Sequence, residues 1–112
     1  MSVQIRPASQ FIELSIILEM LLLPHKTTEL SYRFSLRLAK FMGNHFGYSV
    51  DDEFKKGHQL YKTRSNIVHT GTDKELKLST PIAHTYTRKL LVKYLEDKSL
   101  FNDLKLDKLC LS

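Results

Sequence analysis

The stretch SVDDEFKKGHQLYKTRSNIVHTG, residues 49–71, decides how the rest of this 112-residue chain is read. Ser49, followed three residues later by Asp52, is a helix start of the capping-box type. Asp51, Asp52 and Glu53 fill the first turn, where unpaired backbone N–H groups favour negative charge. Gly71, next to Thr70, supplies a C-terminal stop. One helix is therefore predicted over about residues 50–69. On it Phe54, Leu60, Tyr61, Ile67 and Val68 recur at helical spacing and make an apolar face. Gly57, inside it, costs about 1 kcal/mol relative to alanine and marks either the close approach of another helix or a delayed start.

Arg64 stands three residues after Tyr61 and four before Val68, which puts it on the apolar face. An arginine is almost never fully buried without a partner. A neighbouring carboxylate, Glu29 being the one singled out, or a snorkelling stem would satisfy it. So would a phosphate held in a cleft or dimer interface, because the planar guanidinium donates two hydrogen bonds at once. His69 follows five residues on, a rotation of roughly 140°, so the two side chains do not stack as an i, i+4 pair. They can meet at the helix end or across a two-fold axis. Helix-terminal carbonyls suit a cation, and imidazole titrates where a general acid or base must. The bland reading of His69 is a helix cap.

Upstream, FIELSIILEMLLL (residues 11–23) is too short to span a bilayer and carries Glu13 and Glu19. It has no basic region with a cleavage site, so it is not read as a signal peptide. It is predicted as a first helix, capped by Ser9 and ended by Pro24. It is apolar almost all round and so buried on more than one side, either as the central element of a bundle or packed against a second copy. A second helix follows, with Thr27 or Thr28 as cap and its end near Gly43 or slightly later. Leu30, Phe34, Leu38 and Phe41 make its apolar stripe, and Arg33, Arg37 and Lys40 a basic stripe beside it. A basic stripe is usually only solvated. With Tyr32 next to it, this one offers charge and stacking to a nucleic acid.

Residues 72–78 are expected as a loop. Thr80 with Pro81 signals a fourth helix, with Ile82, Tyr86, Leu90, Leu91, Tyr94 and Leu95 inward. Ser99 is expected to cap a short fifth helix, at about residues 99–110, that packs on the bundle or binds a partner. The fold class is thus all-α, an up-and-down bundle of four to five helices in one domain spanning 1–112, with its core at about 11–97.

Composition agrees. Aromatic content of 10% and hydrophobic content of 42% argue against disorder. A net charge of +5 and a pI near 9.4 tilt the partner toward a polyanion, most simply RNA, or an acidic protein. The lone Cys110 allows no internal disulfide, so a cytoplasmic setting is the default. His25, His45, His58, His69 and His84 lack the paired spacings of a zinc site. No HExxH, CxxC, P-loop, Rossmann glycine pattern or GxSxG is present, so no metal and no cofactor is expected.

Two segments carry a family resemblance. Arg64-Ser65-Asn66-Ile67-Val68-His69 resembles the RxxxxH segment of HEPN domains, and its surroundings, together with residues 29–39 (ELSYRFSLRLA), look most like the Apea-like branch. The resemblance covers about residues 11–97. It implies a HEPN-like bundle, a homodimer that brings two arginines and two histidines together, and metal-independent endoribonuclease chemistry with Arg64 and His69 as catalytic residues. Asn66 or Ser65 would orient the phosphate, and Glu29, Arg33, Tyr32 and Arg37 would support the site or bind RNA. Small HEPN proteins often serve in toxin–antitoxin or antiviral systems, so an antitoxin or a partner domain is a further expected partner. The competing readings are a non-catalytic module that dimerises and binds RNA, a nucleotide or a protein, and a domain of a longer protein.

Overall fold

The computed structural model describes residues 7–25 and 28–111. Five helices follow one another: α1 (Pro7–Leu22), α2 (Leu30–Phe46), α3 (Val50–Thr70), α4 (Leu76–Glu96) and α5 (Asp103–Leu111), with a 3₁₀ turn (Lys98–Phe101) before the last. No strand occurs among the described residues, and the fold is the expected all-α bundle. No described helix is long and apolar enough to cross a membrane.

α3 packs chiefly on α2 and more lightly on α1 and α4. The Ser49 hydroxyl accepts from the Asp52 N–H at its start, and Gly71 closes it in the left-handed conformation, its N–H bonded to the Ile67 carbonyl. α2 approaches closely at Gly57, where a Cβ would lie 3.1 Å from both the Ser35 Cα and the Leu38 Cδ2. Gly43 likewise faces Val50, so α2 and α3 form an antiparallel hairpin. α4 returns antiparallel to α3, with the Thr63 and Ser79 hydroxyls 3.3 Å apart and Tyr86 hydrogen-bonded to Glu53. α1 lies across α3 and α4, its first turns beside Ile67 and its Glu19 beside Arg64. The core gathers Phe11, Leu18 and Leu22 of α1, Phe34, Leu38 and Phe41 of α2, Leu60 and Ile67 of α3, Leu90 of α4, and Leu106 of α5.

Several local expectations are corrected. Ser9 does not cap α1, because the helix already includes Pro7 and Ala8. It buries Phe11, Ser15, Leu18, Leu21 and Leu22, while Ile16 and Met20 of its apolar surface are 46% and 68% exposed. Thr27 lies outside the described residues. Thr28 does not cap α2; that position is held by Glu29 in the left-handed conformation without a side-chain cap. α4 begins at Leu76, so Pro81 sits inside it. Asp73 makes this early start, accepting the Glu75 N–H on its side chain and the Leu76 N–H on its carbonyl. The inward face of α4 is Ser79, Ala83, Tyr86, Thr87 and Leu90, while Leu91 and Leu95 are exposed. Ser99 belongs to the 3₁₀ turn, which Asp97 caps; the Asn102 side chain caps α5 by accepting from the Lys105 N–H.

Candidate functional site

Arg64 does have a carboxylate partner, but it is Glu19 of α1 and not Glu29. The Arg64 Nε lies 3.3 Å from Glu19 Oε1, and its guanidinium carbon 5.8 Å from the Tyr61 ring centroid. Helix geometry explains the choice: Tyr61 precedes Arg64 by three residues on the same face, and α1 presents Glu19 to that face. The Glu19 side chain is 19% exposed and that of Arg64 33%. Burial raises the Glu19 carboxyl above its ordinary range, with Arg64 pulling the other way. Burial, then Glu19, raises the Tyr61 phenol. The ion pair runs through Nε, which leaves four further N–H donors on the two Nη groups.

The crevice that Arg64 lines against Leu18, Glu19, Leu60 and Tyr61 has a volume of about 10 Å³. That is room for about one water and not for a phosphate, so an anion reaches Arg64 only from its exposed side. His69 lies outside this crevice, exposed in the last turn of α3. Over five residues the helix advances about 7.5 Å while turning, so one subunit presents the two side chains on different faces.

The residues between them divide. The Asn66 amide, partly exposed, donates to Asp73 Oδ1 at 2.7 Å and ties the end of α3 to the start of α4. That bond, chiefly, holds the Asp73 carboxyl below its ordinary value. Ser65 is partly exposed. Thr70 folds its hydroxyl onto the Asn66 and Thr72 carbonyls, which fixes the segment after His69.

Glu29, Tyr32, Arg33 and Arg37 come together, but away from Arg64, in a groove of about 400 Å³ between α2 and α5. Glu29 pairs loosely with Arg33 at 3.7 Å. Tyr32 is exposed and meets the Phe54 ring edge-on at 6.1 Å between centroids. Arg37 corrects the reading of a solvated basic stripe, since its side chain is only 1% exposed. Its Nη1 donates to the Leu22 carbonyl at 2.7 Å and to Asp103 at 2.8 Å, and its Nη2 to Asp107 at 2.7 Å. It bolts the end of α1 and the face of α5 to α2 and is not available to RNA.

Three features escaped the sequence reading. Glu19 was legible only as an interruption of an apolar run. Asp103 and Asp107 stand four residues apart on one face of an otherwise leucine-rich helix, a spacing that signals a cation beneath it. Glu53 reads as a dipole-favoured surface acid, yet it is buried at 4% exposure against Tyr86.

Among the described residues no three His, Cys, Asp or Glu side chains are grouped so as to hold a metal ion. No family model, no curated protein and no solved structure matches the chain.

Proposed function

We propose that the chain is a metal-independent endoribonuclease of the HEPN type, working as a homodimer. The observation that carries this reading is the state of Arg64. Glu19 and Tyr61 hold it in place through Nε and the ring face, while a third of its side chain stays open to an incoming anion. His69, exposed on the last turn of the same helix, is free to meet it from a second copy. Ile16 and Met20, which flank Glu19 on α1 and are exposed, supply apolar surface for that copy to cover.

In the proposed reaction His69 takes the proton of a ribose 2′-OH, and the oxygen attacks the adjacent phosphorus. The Nη donors of Arg64 neutralise the charge that gathers on the non-bridging oxygens of the pentacoordinate phosphorane. The P–O5′ bond then breaks, the opposing imidazole protonates the departing 5′-oxygen, and the upstream fragment carries a 2′,3′-cyclic phosphate. Toxin or antiviral action would follow from this chemistry. The test is a single RNA and its analogue with one 2′-deoxyribose at the mapped cut. The RNA should be cut there to a cyclic phosphate and the analogue spared at that bond alone; cutting at the deoxy position refutes the mechanism.

A second reading, a module that dimerises and binds RNA, a nucleotide or a protein without cutting, is favoured by the same ion pair. Glu19 satisfies Arg64 without any ligand, in a crevice of about 10 Å³.

A further inference from the structure

A cleft of about 350 Å³ opens between the first turns of α3 and the middle of α4, away from Arg64 and His69. At its inner side stands Glu53, whose side chain is only 6% exposed. Tyr86, from α4, donates its hydroxyl to Glu53 Oε2. Lys56 lies 3.6 Å from Oε1, close enough for an ion pair and too far for a good hydrogen bond. A carboxylate has about four acceptor positions, so this buried one keeps unused acceptor capacity beside an open cleft. Burial and the bond to Glu53 raise the Tyr86 phenol far above its ordinary value, so it remains a donor throughout the neutral range.

The rest of the cleft is of a different character. Tyr48, 39% exposed and stacked on Phe46 with 6.3 Å between ring centroids, brings an aromatic side chain to the cleft, and Pro81 and Ile82 offer apolar surface. One cation, Lys56, half exposed, lines the cleft, and a second, Lys89, stands next to its aromatic wall, with Nζ 5.5 Å from the Tyr48 ring centroid and 4.9 Å from that of Phe46. A buried acceptor pair, an aromatic wall and a cationic rim suit a planar base with adjacent N–H donors that carries a phosphate. The rim disfavours the alternative occupant of such a pocket, a cationic side chain from a protein partner, because two lysines repel it. Among the nucleobases guanine presents two neighbouring donors, N1–H and N2–H, to one carboxylate; adenine, cytosine and uracil present one donor group each.

We propose that this cleft binds a guanine nucleotide, with Glu53 accepting from the base, Tyr48 stacking on it, and Lys56 and Lys89 holding its phosphate. Resting on the RNA reading of the chain, it deepens that reading by naming a base that a bound strand places at a distance from the cut. Along α3, Glu53 and Arg64 are eleven residues apart, about 16 Å, so the cleft is a separate subsite.

The test is equilibrium binding of GMP, AMP, CMP, UMP and guanosine to the full chain by titration calorimetry, which needs no cleavage and stands whether or not the chain is a nuclease. GMP should bind about tenfold or more tighter than the other three nucleotides, the scale of a good bidentate contact. Guanosine should keep the base preference and lose affinity. Glu53→Gln should erase the preference for guanine, and Tyr48→Ala should weaken all nucleotides in parallel. Lys56→Gln, which removes the charge without placing a second carboxylate beside Glu53, should weaken GMP and spare guanosine. Equal affinities for the four nucleotides, no binding at millimolar concentration, or tighter binding of N-acetyl-arginine amide than of GMP would each overturn the assignment.

Discussion

Replacing Arg37 by alanine tests whether this residue is a structural bolt or an RNA ligand. The guanidinium is 1% exposed and donates three bonds of 2.7 to 2.8 Å to the Leu22 carbonyl, Asp103 and Asp107. Removing one member of a buried ion pair costs about 3–5 kcal/mol. Asp103 and Asp107 are 25% and 47% exposed, so both regain some water when the arginine is gone. That argues for the low end, about 3 kcal/mol, including the stranded carbonyl. A chain of this size has a total stability of roughly 6–17 kcal/mol, so the loss is a large share of it. At roughly 4 °C per kcal/mol for a domain of this length, the midpoint should fall by about 12 °C. Thermal unfolding followed by circular dichroism at 222 nm reads this directly. Arg37→Met, which keeps most of the apolar stem but not the charge, should fall between the two. An alanine variant melting within about 2 °C of the wild type would refute the reasoning, since a solvated arginine costs no more than that.

Three further outcomes follow from particular contacts. Gly57→Ala gains about 1 kcal/mol of helix propensity, but its Cβ must push against Ser35 and Leu38 at 3.1 Å, so overpacking wins and the urea midpoint should fall by an amount worth about 1 kcal/mol. Arg64→Ala breaks a partly exposed pair and should lower stability by only about 1 kcal/mol, so any larger effect on RNA cleavage cannot be ascribed to unfolding. His45 packs at 4.3 Å on Phe41, and burial, with Lys93 adding to it, holds its imidazole below the ordinary value near 6.5. The folded state therefore takes up fewer protons than the unfolded one; stability should be full above about pH 6.5, fall as the pH drops below it, and lose that slope in His45→Gln, as denaturant unfolding from pH 7.5 to 5 would register.

How much was legible in the chain varied with the kind of signal. α3 was readable at both ends because Ser49 and Gly71 act through local backbone geometry. α4 was misplaced because Pro81 looks like a first-turn residue, whereas Asp73, fixed from α3 by Asn66, starts the helix earlier. That is a tertiary contact, and no local pattern carries it. The apolar faces that periodicity predicts for α1 and α4 are wider than the buried ones, since apolar residues such as Met20 and Leu95 remain exposed on a small bundle. At the site, the demand of Arg64 for a partner was visible in its helical position, but the partner was not. Glu19 and Glu29 look alike in sequence, and only the path of α1 across α3 chooses between them. Arg37 looks solvated in sequence for the same reason: its two aspartates lie some seventy residues away on α5.

The nuclease reading stands or falls on one assay: a mixed-sequence RNA incubated in EDTA with wild-type protein, Arg64→Ala and His69→Ala, each confirmed as folded. The wild type should cut the RNA to fragments ending in a cyclic phosphate, and both variants should be inactive. No cutting by the folded wild type across a broad panel of RNAs, or equal cutting by all three proteins, would contradict it.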